Sequence, residues 1–167
     1  LPYFELAPPK SLGFEHVKTT LLPLIDSFSI DTASKMHSFT EHVAHQIGAA
    51  LPEKSGRLLI TGGAGFVGSR LARTLLTKGE LNGQKIERLI LADQFPAPTD
   101  LAADPRVSVK TGPLLTHCKE LETEAVDGVF HLASAVSGEC EDDFDLGLRS
   151  NLDSTRALLD ALRKRTE

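Results

Sequence analysis

The sequence predicts an α/β fold in which a parallel sheet is covered by helices on both faces and two further helices come first. Three observations predict it. Short apolar runs at residues 58–60, 89–92 and 129–133 alternate with longer stretches of helical periodicity. Those runs are apolar at consecutive rather than alternate positions, as strands buried on both faces require. The first of them leads directly into a glycine-rich turn, Thr61-Gly62-Gly63-Ala64-Gly65-Phe66-Val67-Gly68. At 167 residues, with 41% apolar and 25% charged side chains, the chain is about one domain long and can bury a core.

Residues 14–28 read as a helix interrupted or kinked near Pro23, and a second helix runs from about Asp31 to Leu51. Ser29 or Asp31 can cap the second one. Met36, Phe39, Val43, Ile47 and Ala50 recur along it at spacings of three and four, one apolar stripe that needs a partner surface. Two helices of this size form no adequate core alone, so they are expected to cover the sheet that follows. A seam falls after them at Pro52-Glu53-Lys54-Ser55-Gly56, a breaker-rich link. All nine arginines lie at Arg57 or later, whereas His16, His37, His42 and His45 precede it. The chain therefore divides into a helical segment, 1–56, and a sheet-containing half domain, 57–167. Its first residues, Leu1-Pro2-Tyr3, show neither an initiator Met nor a signal pattern, the expected start of a fragment or processed chain.

After the seam, strands are expected at 57–61, 87–92, 106–110 and 128–132, with helices at 66–78, about 116–125 and within 142–164. The proline-bearing stretch 93–105 reads as a long surface loop. There is no internal repeat and no low-complexity tract.

Eighteen basic against twenty-three acidic side chains give a net charge of −5, which argues against nucleic acid or an anionic membrane as a partner. No apolar run approaches the roughly 18 residues of a membrane span. Cys118 and Cys140 read as free thiols in a reducing compartment, so a cytoplasmic location is expected.

The glycine turn carries the chemistry. Between a strand and a helix, Gly62 permits a tight turn, Gly65 lets backbone approach a pyrophosphate at the positive helix end, and Gly68 lets helix and strand pack closely. This is a dinucleotide-binding pattern, with the first gap one residue wider than G-x-G-x-x-G. It makes the sheet Rossmann-like, with strand order 3-2-1-4. Asp93 ends the second strand, where a carboxylate accepts hydrogen bonds from a ribose and repels a 2′-phosphate, favouring NAD over NADP. It stands 31 residues after Gly62 rather than the usual ~20, and residues 79–85 can absorb the difference as a longer connection. A solvated turn aspartate is the alternative.

TGGAGFVG, the strand ending in Asp93, Phe130-His131-Leu132-Ala133-Ser134 and Asn151-Leu152-Asp153-Ser154-Thr155-Arg156 together resemble the extended short-chain dehydrogenase/reductase family. Within it, the run HLASAVSGECEDDFDLGLRSNLDSTRALLDA is similar to D-erythronate dehydrogenases, NAD-dependent sugar-acid oxidoreductases. The resemblance implies that Gly62, Gly65 and Phe66 surround the pyrophosphate and that Asp93 takes the ribose. It completes the cofactor contacts with Val67, Gly68, Leu114, Ala133, Ser134 and Ala135. It places substrate near Ser137 and Gly138 and makes Asn151 a structural or proton-relay residue.

Two departures from that family stand out. Its usual Gly-Asp after the third strand is here Gly112-Pro113, and a proline offers adenine no side-chain hydrogen bond, a loss of roughly 0.5–1.5 kcal/mol. The family's catalytic serine and Tyr-x-x-x-Lys lie beyond a fifth strand; the only tyrosine here is Tyr3, in no such motif. With no catalytic residue assigned, no dehydrogenase turnover is expected from this chain.

The first fifty-odd residues resemble something different. Pro2-Tyr3-Phe4, Pro8-Pro9-Lys10-Ser11-Leu12-Gly13-Phe14-Glu15 and Phe39-Thr40-Glu41-His42-Val43-Ala44 are similar to the C-terminal lobe of anhydro-N-acetylmuramic acid kinases. Leu58-Leu59-Ile60-Thr61-Gly62-Gly63 suits both families, which marks a splice point and implies an engineered or recombined chimera.

His37, Glu41 and His45 share one helix face but miss the spacings of helical zinc sites, so a polar face is the reading there and no metal is assigned. His131 reads as a satisfied core histidine. The acidic cluster Glu139, Glu141, Asp142, Asp143 and Asp145 suits a helix start. The expectations for function are therefore a nucleotide-binding module without catalysis, a structural element without useful ligand binding, or part of an oxidoreductase or epimerase completed by further residues. The sheet edge at the fourth strand is expected to be open and to favour a homodimer.

Overall fold

The computed structural model describes residues 14–50 and 56–164, which fall into two units on either side of residue 51. The first holds α1 (Phe14–His16), a π-helical turn at Val17–Leu21, α2 (Leu22–Asp26) and α3 (Thr32–Ala50). The irregularity expected near Pro23 lies just before it. Pro23 occupies the first turn of α2, where its missing N–H is harmless. Its ring crowds the carbonyl four residues earlier, and that position falls in the π turn. Asp31, not Ser29, caps α3, accepting from the Ser34 N–H at 3.0 Å and the Ser34 hydroxyl at 2.6 Å. Within this unit Met36, Phe39, Val43 and Ile47 of the α3 stripe are not buried by α1 or α2, at 38% to 60% exposure. The seam expected at 52–56 lies largely outside the described residues.

The second unit is a four-stranded parallel sheet. Its strands are β1 (Arg57–Thr61), β4 (Arg88–Asp93), β5 (Val107–Thr111) and β6 (Gly128–His131), in the order β5-β4-β1-β6. That is the expected 3-2-1-4 arrangement. Consecutive apolar residues in the central strands are explained by two separate cores. Leu58, Ile60, Leu89 and Leu91 pack with Ala72 and Leu75 of α4 (Phe66–Lys78) and Leu101 of α5 (Thr99–Ala102). Leu59, Ile90 and Ala92 point the other way, onto Leu114, Cys118 and Leu121 of α6 (Leu114–Leu121) and Leu158 and Ala161 of α9 (Ser154–Lys164). Each fully buried leucine or isoleucine contributes about 1.5–3 kcal/mol by removal from water. At the far end of the sheet the Arg57 guanidinium meets the Asp127 carboxylate at 2.6 and 3.0 Å, tying the start of β1 to that of β6.

Three local expectations are corrected and a fourth is given its detail. The connection 79–85 holds a small hairpin, β2 (Glu80–Leu81) with β3 (Gln84–Lys85), turned by Asn82 and Gly83, both at positive φ. The loop 93–105 contains α5, anchored by buried Leu101. Helix α6 begins at Leu114 rather than 116, because Pro113 with its fixed φ serves as the N-cap. The single helix expected within 142–164 is instead α7 (Ser137–Asp142), α8 (Phe144–Gly147), a π turn at Leu148–Asp153, and α9. Extended backbone at Asp143 separates α7 from α8, and the Asp143 carboxylate caps α8 at the Leu146 N–H, 2.9 Å away.

Candidate functional site

The C-terminal ends of β1, β4 and β6 open on a cleft of about 880 Å³. Its floor is the glycine turn. Gly62 has φ +69°, and a Cβ there would lie 2.8 Å from the Leu132 carbonyl carbon and 2.9 Å from the Ala133 nitrogen. Only glycine lets the turn pass the loop after β6. The Gly62 and Gly63 N–H groups donate to the Ala92 carbonyl at 2.8 and 3.3 Å, which fixes the turn to β4.

Gly65 and Gly68 are small for different reasons. A Cβ at Gly68 would fall 2.9 Å from the Gly62 carbonyl carbon and 3.0 Å from Gly63 Cα, and would overlap the Gly62 oxygen, so the fold itself excludes a side chain. A Cβ at Gly65 would meet only the Gly62 oxygen, at 3.3 Å. Gly65 is exposed, lines the cleft and is the N-cap of α4, with no side chain satisfying the helix's first N–H groups. Those N–H groups and the helix dipole form an anion cradle that a larger side chain at residue 65 would fill. Phe66 and Val67 follow it, 85% and 61% exposed.

Asp93, at the end of β4, stands beside this cradle. One of its oxygens accepts from the Ala64 N–H at 2.9 Å and the other from the Phe95 N–H at 3.0 Å. Each oxygen retains acceptor capacity, and Asp93 lines the cleft, so the carboxylate both holds the glycine turn and offers negative charge to a hydroxyl. Beyond it the walls are apolar: Phe95, Pro96, Pro98, Pro113, Leu114 and Leu115, with Gln94 as the polar side chain on that stretch. Pro113 stands among them, as the sequence expects.

The opposite wall is the loop after β6, where Ala133, Ser134 and Ala135 line the cleft. Asn151, within the π turn, fixes this loop from outside. Its amide oxygen accepts from the Ala135 N–H at 2.8 Å while its amide nitrogen donates to the Ala135 carbonyl at 3.0 Å. A π turn next to a ligand cleft is a recurring association.

The cleft thus brings together Gly62, Gly65, Asp93, Leu114, Ala133, Ser134 and Ala135. Gly68 is buried beneath the turn, and Ser137 and Gly138 open α7 without lining the cleft. Leu146, Arg149 and Ser150, which the sequence did not single out, line it instead, with Glu139 of the acidic cluster and Ser154 of the Asn151–Arg156 motif.

Residues 58–166 match the NAD dependent epimerase/dehydratase family. The chain belongs to that family. It is 52% identical over 116 residues to a D-erythronate dehydrogenase of Cupriavidus necator and 44% identical over 112 residues to one of Haemophilus influenzae. These alignments cover 64% and 65% of this chain and 34% of each relative, so the chain spans about a third of the length of the curated relatives it matches. Among solved structures, a nucleoside-diphosphate-sugar epimerase from Agrobacterium tumefaciens aligns at 38% identity and a TM-score of 0.59, covering 66% of this chain and 33% of that one. A dTDP-glucose 4,6-dehydratase from Streptomyces venezuelae, solved with NAD bound, aligns at 28% identity and 0.57, covering 66% and 36%. The second unit carries the Rossmann fold of that family.

In this epimerase/dehydratase domain His131 sits half-buried at the end of β6, between the hydroxyls of Thr61 at 2.6 Å and Thr155 at 3.0 Å. Its hydrogen bonds are satisfied, as the sequence predicts, but it lies half-buried at a strand end rather than in either core. Burial pushes its imidazole below the ordinary value of 6.5. A lowered folded-state pKa means that the unfolded chain binds the proton more readily. The His131 contribution to stability is therefore complete above pH 6.5 and is lost as pH falls through the lower folded value. Urea midpoints measured between pH 7.5 and 5 are expected to fall for the native chain, and more steeply than for His131→Gln.

Among the described residues no group of three His, Cys, Asp or Glu side chains could hold a metal, and no helix is long and apolar enough to cross a membrane. Cys118 and Cys140 are free thiols.

Proposed function

We propose that this chain binds NAD through residues 57–167 and does not turn it over by itself. The observation that carries the reading is the uncapped start of α4 at Gly65, facing the cleft with the Asp93 carboxylate beside it. The N–H groups of Phe66 and Val67 would hold the pyrophosphate, with Gly62, Gly65 and Gly68 giving the turn its shape. Asp93 would accept the adenosine ribose hydroxyls. Leu114 and its apolar neighbours would flank the adenine, and Ala133, Ser134 and Ala135 would border the nicotinamide half. When bound, NAD supplies a hydride acceptor, and a general acid/base is needed to move the matching proton. The sequence holds no Tyr-x-x-x-Lys for that task.

The two D-erythronate dehydrogenases favour a sugar-acid oxidoreductase as the activity of a longer polypeptide to which such a domain belongs. Residues 1–56 are read as a kinase-like helical segment joined to this domain, a chimera. The shift in arginine usage at Arg57 and the start of the family match at residue 58 support that boundary. The free thiols suit the cytoplasm. The outer edge of β6, the last strand of the sheet, is the surface proposed for a homodimer, and sedimentation showing a monomer at every accessible concentration would remove it.

Binding of NAD⁺ and NADP⁺ by calorimetry tests the central reading. NAD⁺ is expected to bind at least about tenfold more tightly, because Asp93 repels a 2′-phosphate. Equal affinities would contradict the role of Asp93.

A further inference from the structure

The hydrogen bonds around His131 leave one arrangement of protons. The Thr155 hydroxyl donates to the Asn151 carbonyl at 2.8 Å, and a carbonyl only accepts, so the Thr155 oxygen is left to accept from His131 Nε2 at 3.0 Å. On the other side, the Thr61 oxygen accepts from the N–H groups of Leu132 at 3.1 Å and Ala133 at 3.2 Å. With its acceptor sites engaged, the Thr61 hydroxyl proton goes to His131 Nδ1 at 2.6 Å. Both lines require the same neutral imidazole, protonated at Nε2 and accepting at Nδ1. The donors then run in one direction: from the Leu132 and Ala133 amides through Thr61, His131 and Thr155 to the carbonyl of Asn151. The Asn151 amide closes the ring by clamping Ala135.

We propose that His131, held as this single tautomer, is a positioning residue that sets the cleft-lining loop 132–135 against the π turn of residues 148–153. The observation behind it is that both imidazole nitrogens and the hydroxyls of Thr61 and Thr155 are all partnered only in this proton order. Reversing the imidazole would oppose two acceptors at Thr155 and two donors at Thr61, leaving part-buried polar groups unsatisfied. His131 touches neither the Ala133 amide nor the anion cradle directly; it acts through Thr61. That the loop matters for a ligand rests on the NAD-binding reading above.

The test has two readouts that need no ligand. Long-range ¹H–¹⁵N spectra of the free protein above pH 7 are expected to show His131 protonated at Nε2 only. The opposite tautomer, an even mixture or an imidazolium would overturn the proposal. Amide exchange then asks whether the ring is coupled. Thr155→Val removes the acceptor for His131 Nε2 without touching the Ala133 amide, and is expected to speed exchange of that amide about tenfold, whereas Thr155→Ser leaves it near the native rate. An unchanged rate in a folded Thr155→Val protein would overturn the positioning role. Thr61→Ser, expected to preserve the tautomer, and Thr61→Val, expected to weaken its bias to what the Thr155 acceptor alone imposes, give a second pair. NAD⁺ affinity is measured alongside: if the native chain binds none while the tautomer and exchange results hold, the binding reading fails and the ring stands.

Discussion

Gly68→Ala is expected to destabilise the sheet unit by about 3 kcal/mol, the upper range for overpacking. The added methyl would overlap the Gly62 carbonyl oxygen and approach the Gly62 carbonyl carbon at 2.9 Å, and all of these atoms are backbone. Gly62 is itself held by its N–H bond to Ala92 and by the loop after β6, so the turn has nowhere to retreat. The strain reaches the first turn of α4, whose Ala72 and Leu75 form part of one core. Urea unfolding followed by circular dichroism checks this. A change in midpoint too small to separate from the native protein would mean that helix and turn are not packed as described. The parallel substitution Gly65→Ala meets only one atom, at 3.3 Å, and is expected to leave the midpoint nearly unchanged.

Asp93→Asn is expected to weaken NAD⁺ binding by a factor of ten to a hundred while the fold persists. Both carboxylate oxygens accept from backbone, one from Ala64 N–H and the other from Phe95 N–H. An amide replaces one of those acceptors with a donor, so one backbone N–H is left facing another N–H, at about 1–3 kcal/mol. If that loss falls on Ala64, the glycine turn loosens. The substitution also removes the charge that opposes a 2′-phosphate, so NADP⁺ affinity should fall less than NAD⁺ affinity or rise. Calorimetry with both nucleotides separates these effects. A uniform loss would indicate damage to the turn alone, and no loss would remove Asp93 from the site.

Much of this domain was legible in its residues. Leu58 to Ile60 and Leu89 to Ala92 signal strands buried on both faces because neighbouring side chains enter different cores, as Leu58 and Leu59 do. The glycine turn and Asp93 were readable because their chemistry depends on spacing along one strand–turn–helix unit. The hairpin at residues 80–85 had a signal, Asn82-Gly83, hidden inside what reads as a connection. The breakup of the region after Ser137 had little signal. Its π turn is tied to Asn151, whose partner Ala135 lies 16 residues away in the chain, on the loop after β6. The Thr61–His131 contact spans 70 residues and follows only once β1 and β6 are paired in register, with Thr61 opposite His131. Arg149 and Ser150 line the cleft for the same reason: the turn that carries them is set by tertiary hydrogen bonds, not by local periodicity.

The most direct measurement is calorimetric titration of the native chain and of Gly65→Val with NAD⁺, with circular dichroism to establish that both are folded. Gly65 stands at the start of α4 with little against it from the protein, so a valine fills the cradle with limited strain on the fold. Micromolar-to-millimolar binding by the native chain that disappears in the folded variant is the predicted result. Equal binding by both would contradict a pyrophosphate at the start of α4. Heat from neither would leave the glycine turn as a structural element alone.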